Sequence, residues 1–195
     1  KTIENDWLTL LDEVKACMAE GLPADSERTQ ALARRWMVLM HRWMDGDFAL
    51  MDRWGTMFRE EPSLHGARGA PPRVMVDYME NAIALRVGWL REHFGEEAFR
   101  RIRLLPDAAW AAVERGGRKL IEAGRPPTCK AARDLRARWE ALLLEAAGGD
   151  EAMVARMRTL GETRPLVLAG LPLTGEVRTF LRRVPWPGPL DPHVT

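Results

Sequence analysis

Cysteine, tyrosine and histidine are scarce in this chain. Its 195 residues contain two cysteines, one tyrosine and four histidines. Cys17 and Cys129 are far apart and belong to no close pair, so neither a cysteine-rich metal site nor a disulfide framework is expected. Such sparing use fits a reducing cytoplasm, the expected location. His41, His65, His93 and His193 never fall three or four residues from one another, the spacing that puts two imidazoles on one helical face for zinc. His93, near the end of a long helix, is the one conceivable haem ligand, but a single helical histidine is ordinarily structural. The chain has no Gly-x-Ser-x-Gly elbow, phosphate loop or dinucleotide fingerprint. No catalysis and no cofactor are therefore expected. An apolar run long enough to span a bilayer is also missing, as is a signal peptide, so no membrane association is expected. Excess charge of either sign is lacking, with 29 basic against 28 acidic residues. A balanced chain has no field to gather phosphates, and no nucleic-acid partner is expected. The arginine groups at 98–103 and 178–183 are the best nucleic-acid candidates, and a solvated helix face explains them as well.

What is present is a chain with 46% hydrophobic residues, enough for a globular core. Its periodicity is helical throughout, with no strand-like alternation. Asn5 or Asp6 can cap a first helix carrying Trp7, Leu10, Leu11, Val14 and Met18. Gly21 and Pro23 stop it. Asp25 or Ser26 caps a second helix with the stripe Leu32, Trp36, Leu39, Met40 and Trp43. Gly46 ends that helix and Asp47 caps a third, which carries Leu50, Met51, Trp54, Met57 and Phe58. A loop rich in Gly and Pro covers 62–72, and a fourth helix runs from Pro72 to about Phe94. A short helical piece is expected at 96–104 and further helices at 110–121, 128–147, 150–160 and 174–184. The proline-rich tail from about Pro185 is expected to be irregular.

Much of this order occurs twice. With a shift of 103 positions, Trp7, Gly21, Pro23, Leu32, Arg35, Trp36 and Leu39 match Trp110, Gly124, Pro126, Leu135, Arg138, Trp139 and Leu142. Gly46, Asp47, Ala49, Arg53, Thr56, Pro62 and Val74 match Gly149, Asp150, Ala152, Arg156, Thr159, Pro165 and Val177. Tryptophans, glycines and prolines held in one register indicate a duplicated module. The expected organisation is a first module over 1–95 that includes a long central helix, a second over 96–186, and a tail at 187–195.

Positions kept in both copies serve the fold. Trp36 and Trp139 are therefore expected in the core, and Arg35 and Arg138 to pair with Asp47 or Asp150 or to reach helix-end carbonyls. Positions that differ are where function is sought. Trp43, Phe48, Trp54, Phe58 and Tyr78 stand where the second copy has Ala146, Glu151, Met157, Gly161 and Leu181, and His41 where it has Leu144. Seven of the ten methionines lie between Met37 and Met79. Rings offer flat faces and methionine adapts its shape, so this excess suits a large apolar or aromatic guest; a bulkier core would show the same residues. His65 and the glycines Gly66 and Gly69 make the 62–72 loop a candidate lid.

The run Met18-Ala-Glu-Gly-Leu-Pro-Ala-Asp-Ser26, followed by Ala33-Arg-Arg-Trp-Met37, resembles the TipAS-type drug-recognition domain, the effector half of some MerR-family regulators. The tandem arrangement is similar to the stand-alone albicidin-binding resistance proteins. The resemblance covers about residues 5–186. It implies all-α, globin-like modules, joined here through the long central helix, that wrap around a large aromatic or peptide antibiotic and sequester it without chemistry. Thiopeptides bind in some members; in others the guest is albicidin, a chain of linked aromatic units that inhibits DNA gyrase. The resemblance places ligand-facing aromatics near Phe58 and Trp89. Together with the unrepeated residues, the candidate ligand set is His41, Trp54, Phe58, His65, Met75, Tyr78, Asn81 and Trp89. A monomer is expected. The alternative is the sensing domain of a MerR-family regulator; no DNA-binding half is read in these residues, and the chain begins at Lys1 without a methionine.

Overall fold

The computed structural model describes residues 3–46, 48–66 and 70–186. Every regular element among them is helical: α1 (Ile3–Ala19), α2 (Glu27–Trp43), α3 (Phe48–Glu60), α4 (Arg73–Phe94), α5 (Glu96–Phe99), α6 (Asp107–Glu122), α7 (Lys130–Ala146), α8 (Glu151–Thr163) and α9 (Gly175–Arg182). Short 3₁₀ turns lie at Pro62–Leu64 and Pro165–Leu168. The chain is all-α, and among the described residues no helix is long and apolar enough to cross a membrane. Two helix pairs, α2 with α7 and α3 with α8, begin and end 103 residues apart.

Some boundaries differ from the sequence reading. Helix α1 already begins at Ile3, so Asn5 and Asp6 lie in its first turn instead of capping it. The 62–72 stretch is not all loop, because Pro62 presets the backbone angle for a 3₁₀ turn. Helix α5 stops at Phe99 rather than near Leu104, and the chain leaves it as the Arg103 amide donates to the carbonyl of Ala146 at 2.9 Å. Asp47, Gly69 and the tail 187–195 lie outside the described residues.

The chain divides into two compact units, Lys1–His93 with Thr163–Gly170 and Phe94–Glu162 with Leu171–Thr195. In the first, α1 buries Leu10, Val14 and Cys17 at spacings of four and three, and α2 buries Leu32, Trp36, Leu39 and Met40. The Trp7 ring lies 4.7 Å from that of Trp36, which is core as expected at 5% exposure. Full burial of each such side chain contributes about 1.5–3 kcal/mol.

The α1–α2 corner is closed by backbone chemistry. Gly21 has φ +67°, its amide donates to Met18, and the Leu22 amide donates to Cys17. Those bonds satisfy the last carbonyls of α1, and a left-handed residue there favours glycine. Ser26 then caps α2 through its hydroxyl and the Thr29 amide, 3.2 Å. In the second unit Gly124 has φ +59°, its amide donates to Ile121, and Arg125 donates to Leu120. There Cys129 takes the capping place, its sulfur accepting from the Ala132 amide at 3.4 Å.

Two fully buried polar side chains fix α4 against this corner. Gln30 Nε2 donates to the carbonyls of Ala24 at 2.8 Å and Ala82 at 3.0 Å. Thr29 shares hydroxyl bonds with Ser26 at 2.8 Å and Tyr78 at 2.7 Å, and the Tyr78 hydroxyl donates to the Leu22 carbonyl at 2.9 Å. Helix α4 accordingly buries Met75, Met79, Ala82 and Arg86 along one stripe. Arg35 pairs with Glu13 at 2.5 Å, the α1 carboxylate that faces it across the helix pair; its expected partner Asp47 lies outside the described residues.

In the second unit Trp110, Val113, Leu135, Trp139, Val177 and Leu181 form the core. Helices α6 and α9 meet at Gly117, where a Cβ would stand 2.3 Å from Val177 Cγ1. Glu114 accepts from the Thr174 amide at 2.7 Å, from the Thr174 hydroxyl at 3.1 Å, and from Arg118 at 2.6 Å. Burial by itself raises its pKa, but the Thr174 and Arg118 contacts together outweigh it and hold the carboxyl below the usual range.

Replacing Gln30 by Leu leaves the Ala24 carbonyl without its donor beside a misfitted side chain, and should cost about 2 kcal/mol in urea unfolding. Glu114 has a lowered folded pKa, so its contribution is present above the unfolded value of about 4.3 and is lost as pH falls through the folded one. Glu114→Gln should therefore cost about 1 kcal/mol at neutral pH. Unfolding curves of the two proteins should converge as the pH is lowered below 4.

Candidate functional site: an aromatic run in the first unit

The end of α2, the length of α3 and the following turn bring four rings into sequence. Trp43 meets Trp54 edge-on, with centroids 5.8 Å apart and planes at 77°. Trp54 stacks on Phe58 at 5.1 Å and 21°. Phe58 then meets the imidazole of His65 at 4.7 Å. Spacing explains the order: Trp54 and Phe58 are one helical turn apart on α3, and the 3₁₀ turn after Pro62 folds His65 back toward them. His65 Nε2 lies 2.7 Å from the Phe58 carbonyl oxygen. A carbonyl only accepts, so Nε2 carries the proton and His65 donates.

The run is graded in exposure. Phe58 is 2% exposed and Trp54 half-buried, while Trp43 is 55% exposed. Leu50 and Met57, on the same α3 stripe as Trp54, are also exposed. A solvent-facing ring thus leads to a stacked pair rooted in the core. Such a surface offers π-faces and polarizable edges. Among the described residues no cluster of three or more His, Cys, Asp or Glu could hold a metal ion.

Of the residues singled out from sequence, Trp54, Phe58 and His65 come together in this run. Met75 and Tyr78 belong to the same hydrophobic core cluster as Phe58 and Trp54, but Met75 is buried and the Tyr78 hydroxyl is committed to Leu22 and Thr29. His41 lies over the turn that ends α2, with its Nε2 3.3 Å from where a Cβ on Gly46 would stand. Asn81 is exposed on α4. Trp89 lies elsewhere on α4, with the guanidinium of Arg164 5.5 Å above its ring.

Sequence comparison marked Trp43 as unrepeated without placing it in the ligand set. It also passed over Arg34, which faces Ala137 under the same shift. Its departure from the second copy was the available signal.

The second unit carries an ion cluster between α7 and α8. Glu140 receives Arg136 at 2.6 Å and also Arg158, with all three side chains at most 16% exposed. Arg136 donates to the Leu181 carbonyl at 2.8 Å and lies 4.7 Å over the Trp139 ring. Shifted by 103, these ionic positions become Ala33, Met37 and Gly55. A buried ion triad therefore ties α7 to α8, whereas the matching α2 and α3 positions carry two small residues and a methionine.

No family model and no curated protein matches the chain.

Removing the carboxylate from the triad by Glu140→Ala would leave two guanidiniums buried without their counter-ion. The second unit should lose about 3–5 kcal/mol in denaturant unfolding. Replacing all three residues by the Ala, Met and Gly of the first unit should cost less than that single change, because no charge is then stranded.

Proposed function

We propose that this chain is a drug-capture protein of the TipAS-type kind that its sequence resembles, holding a large aromatic, albicidin-like antibiotic in the first unit. The observation that carries this reading is the run Trp43, Trp54, Phe58 and His65, open at one end and rooted in the core at the other. A guest built of linked flat units can extend such a series ring by ring, and each stacked pair contributes about 0.5–1.5 kcal/mol beyond the area it buries. Useful capture needs nanomolar binding, about 12 kcal/mol, so several units of the guest must be engaged at once. Two further observations support the reading. The 103-residue offset shared by α2 with α7 and α3 with α8 fits two copies of one globin-like module. The ion triad of the second unit leaves the first as the one suited to an apolar guest. The mechanism is stoichiometric sequestration, and the guest leaves unchanged.

Titration with albicidin, followed by tryptophan fluorescence, tests this. Wild type should quench with a sub-micromolar midpoint, and Trp54→Ala should weaken binding at least tenfold while the far-ultraviolet circular dichroism is kept. No quenching at micromolar albicidin would sink the proposal for that guest. Mass spectrometry after long incubation should recover the drug intact.

A further inference from the structure

The segment Thr163–Gly170 lies between α8 and α9 in sequence, and both of those helices belong to the second unit. The segment itself belongs to the first. Two buried arginines hold it there. Arg86 of α4 donates to the carbonyls of Leu166, at 3.3 Å, and Val167. Arg34 of α2 donates to the Gly170 carbonyl at 3.0 Å. Each residue is 6% exposed. At the far end Gly170, with φ +76°, sits so close to α2 that a Cβ would meet the Cα and carbonyl oxygen of Ala31 at 2.8 Å. At the near end Arg164 covers the face of Trp89 and reaches Glu92 at 3.4 Å.

We propose that 163–170 is a clasp: it closes over Trp89 when Arg86 and Arg34 hold its carbonyls, and opens as a unit to bare that ring while the rest of the first unit stays folded. The balance of forces favours a device of this kind over a permanent part of the core. The pKa of Arg86 is lowered to about 10 by burial and by the like charge of Arg34, so the Arg86 guanidinium stays protonated at neutral pH. Burying a cation is unfavourable, and the bonds that the Arg86 guanidinium makes are to neutral carbonyls of the segment. Opening returns water to that cation, so it regains hydration as it loses those bonds. Few apolar anchors oppose the movement, since Leu166, Val167 and Leu168 are only half-buried and Ala169 alone of the segment is buried. The exposed Arg164–Glu92 pair adds little. The clasp thus has two closely balanced states, and a guest that takes the face of Trp89 would select the open one. That last step rests on the capture reading; the two states themselves do not.

Hydrogen exchange on the full chain without ligand tests the clasp. Arg86→Gln weakens its hold on the carbonyls, and Gly170→Ala drives a methyl into Ala31 at a backbone angle that disfavours it. Both variants should speed exchange of the Val167 and Ala169 amides at least tenfold, while α1, α2, α6 and α7 stay within twofold of wild type. The acrylamide quenching contributed by Trp89, taken as the difference from a matched Trp89→Phe chain, should rise at least twofold. Unchanged exchange at 165–170 overturns the proposal. Acceleration of α1 and α2 by the same factor also overturns it, because the segment would then be an integral part of the core. So does faster exchange with unchanged quenching of Trp89, since the segment would not then govern that ring.

Discussion

The first unit depends on the burial of two polar side chains, Thr29 and Gln30, at the start of α2. An Nε2 or hydroxyl left without partners in that place would be costly, so α4 is held where Tyr78 and the Ala82 carbonyl can meet them. Helix α4 therefore has a register as well as a face. That register brings Met75 and Met79 into the core under the α3 rings and sets Arg86 toward the 163–170 segment. A purely apolar contact would tolerate sliding by a residue; hydrogen bonds to named carbonyls do not. At the shifted positions the second unit has Ala132 and Arg133. It orients α9 instead through Glu114, Thr174 and the close approach at Gly117.

The two units also differ in how they bury charge. In the second, Glu140 lies between Arg136 and Arg158, and the attraction is direct. In the first, the Arg86 guanidinium rests on the carbonyls of Leu166 and Val167. A triad of opposite charges is stiff, because moving any member strands the others. Carbonyl dipoles are weaker partners that water can replace. Direct charge pairing thus marks the unit poor in aromatics, and carbonyl contacts hold Arg86 in the unit that carries the ring series.

Helix order was legible in the sequence because its signals are local. Glycines at 21 and 124, prolines at 62 and 165, and stripes with spacings of three and four act over a few residues, and each was present twice. The core roles of Trp36 and Trp139 followed from the same stripes. Part of the candidate site was legible too: Trp54, Phe58 and His65 lie within twelve residues, and one helix with one turn suffices to gather them. Tyr78 was harder, since its ring signals a guest and only the positions of Leu22 and Thr29 show that its hydroxyl is engaged. The Glu13 partner of Arg35 was hard to see for a similar reason, because it is on another helix. Least legible was the hold of Arg86 on Leu166 and Val167, eighty residues away along the chain, with no periodicity to announce it.

The placement of 163–170 bears on how this architecture can be divided. A protein of two compact units could in principle be cut back to one of them. Here a fragment ending near Gly95 would leave Arg34 and Arg86 without the carbonyls of Leu166, Val167 and Gly170 that they grip in the whole chain. The opposite fragment would carry a segment with nowhere to lie. With that crossing in place, no single cut in the chain separates the two units cleanly.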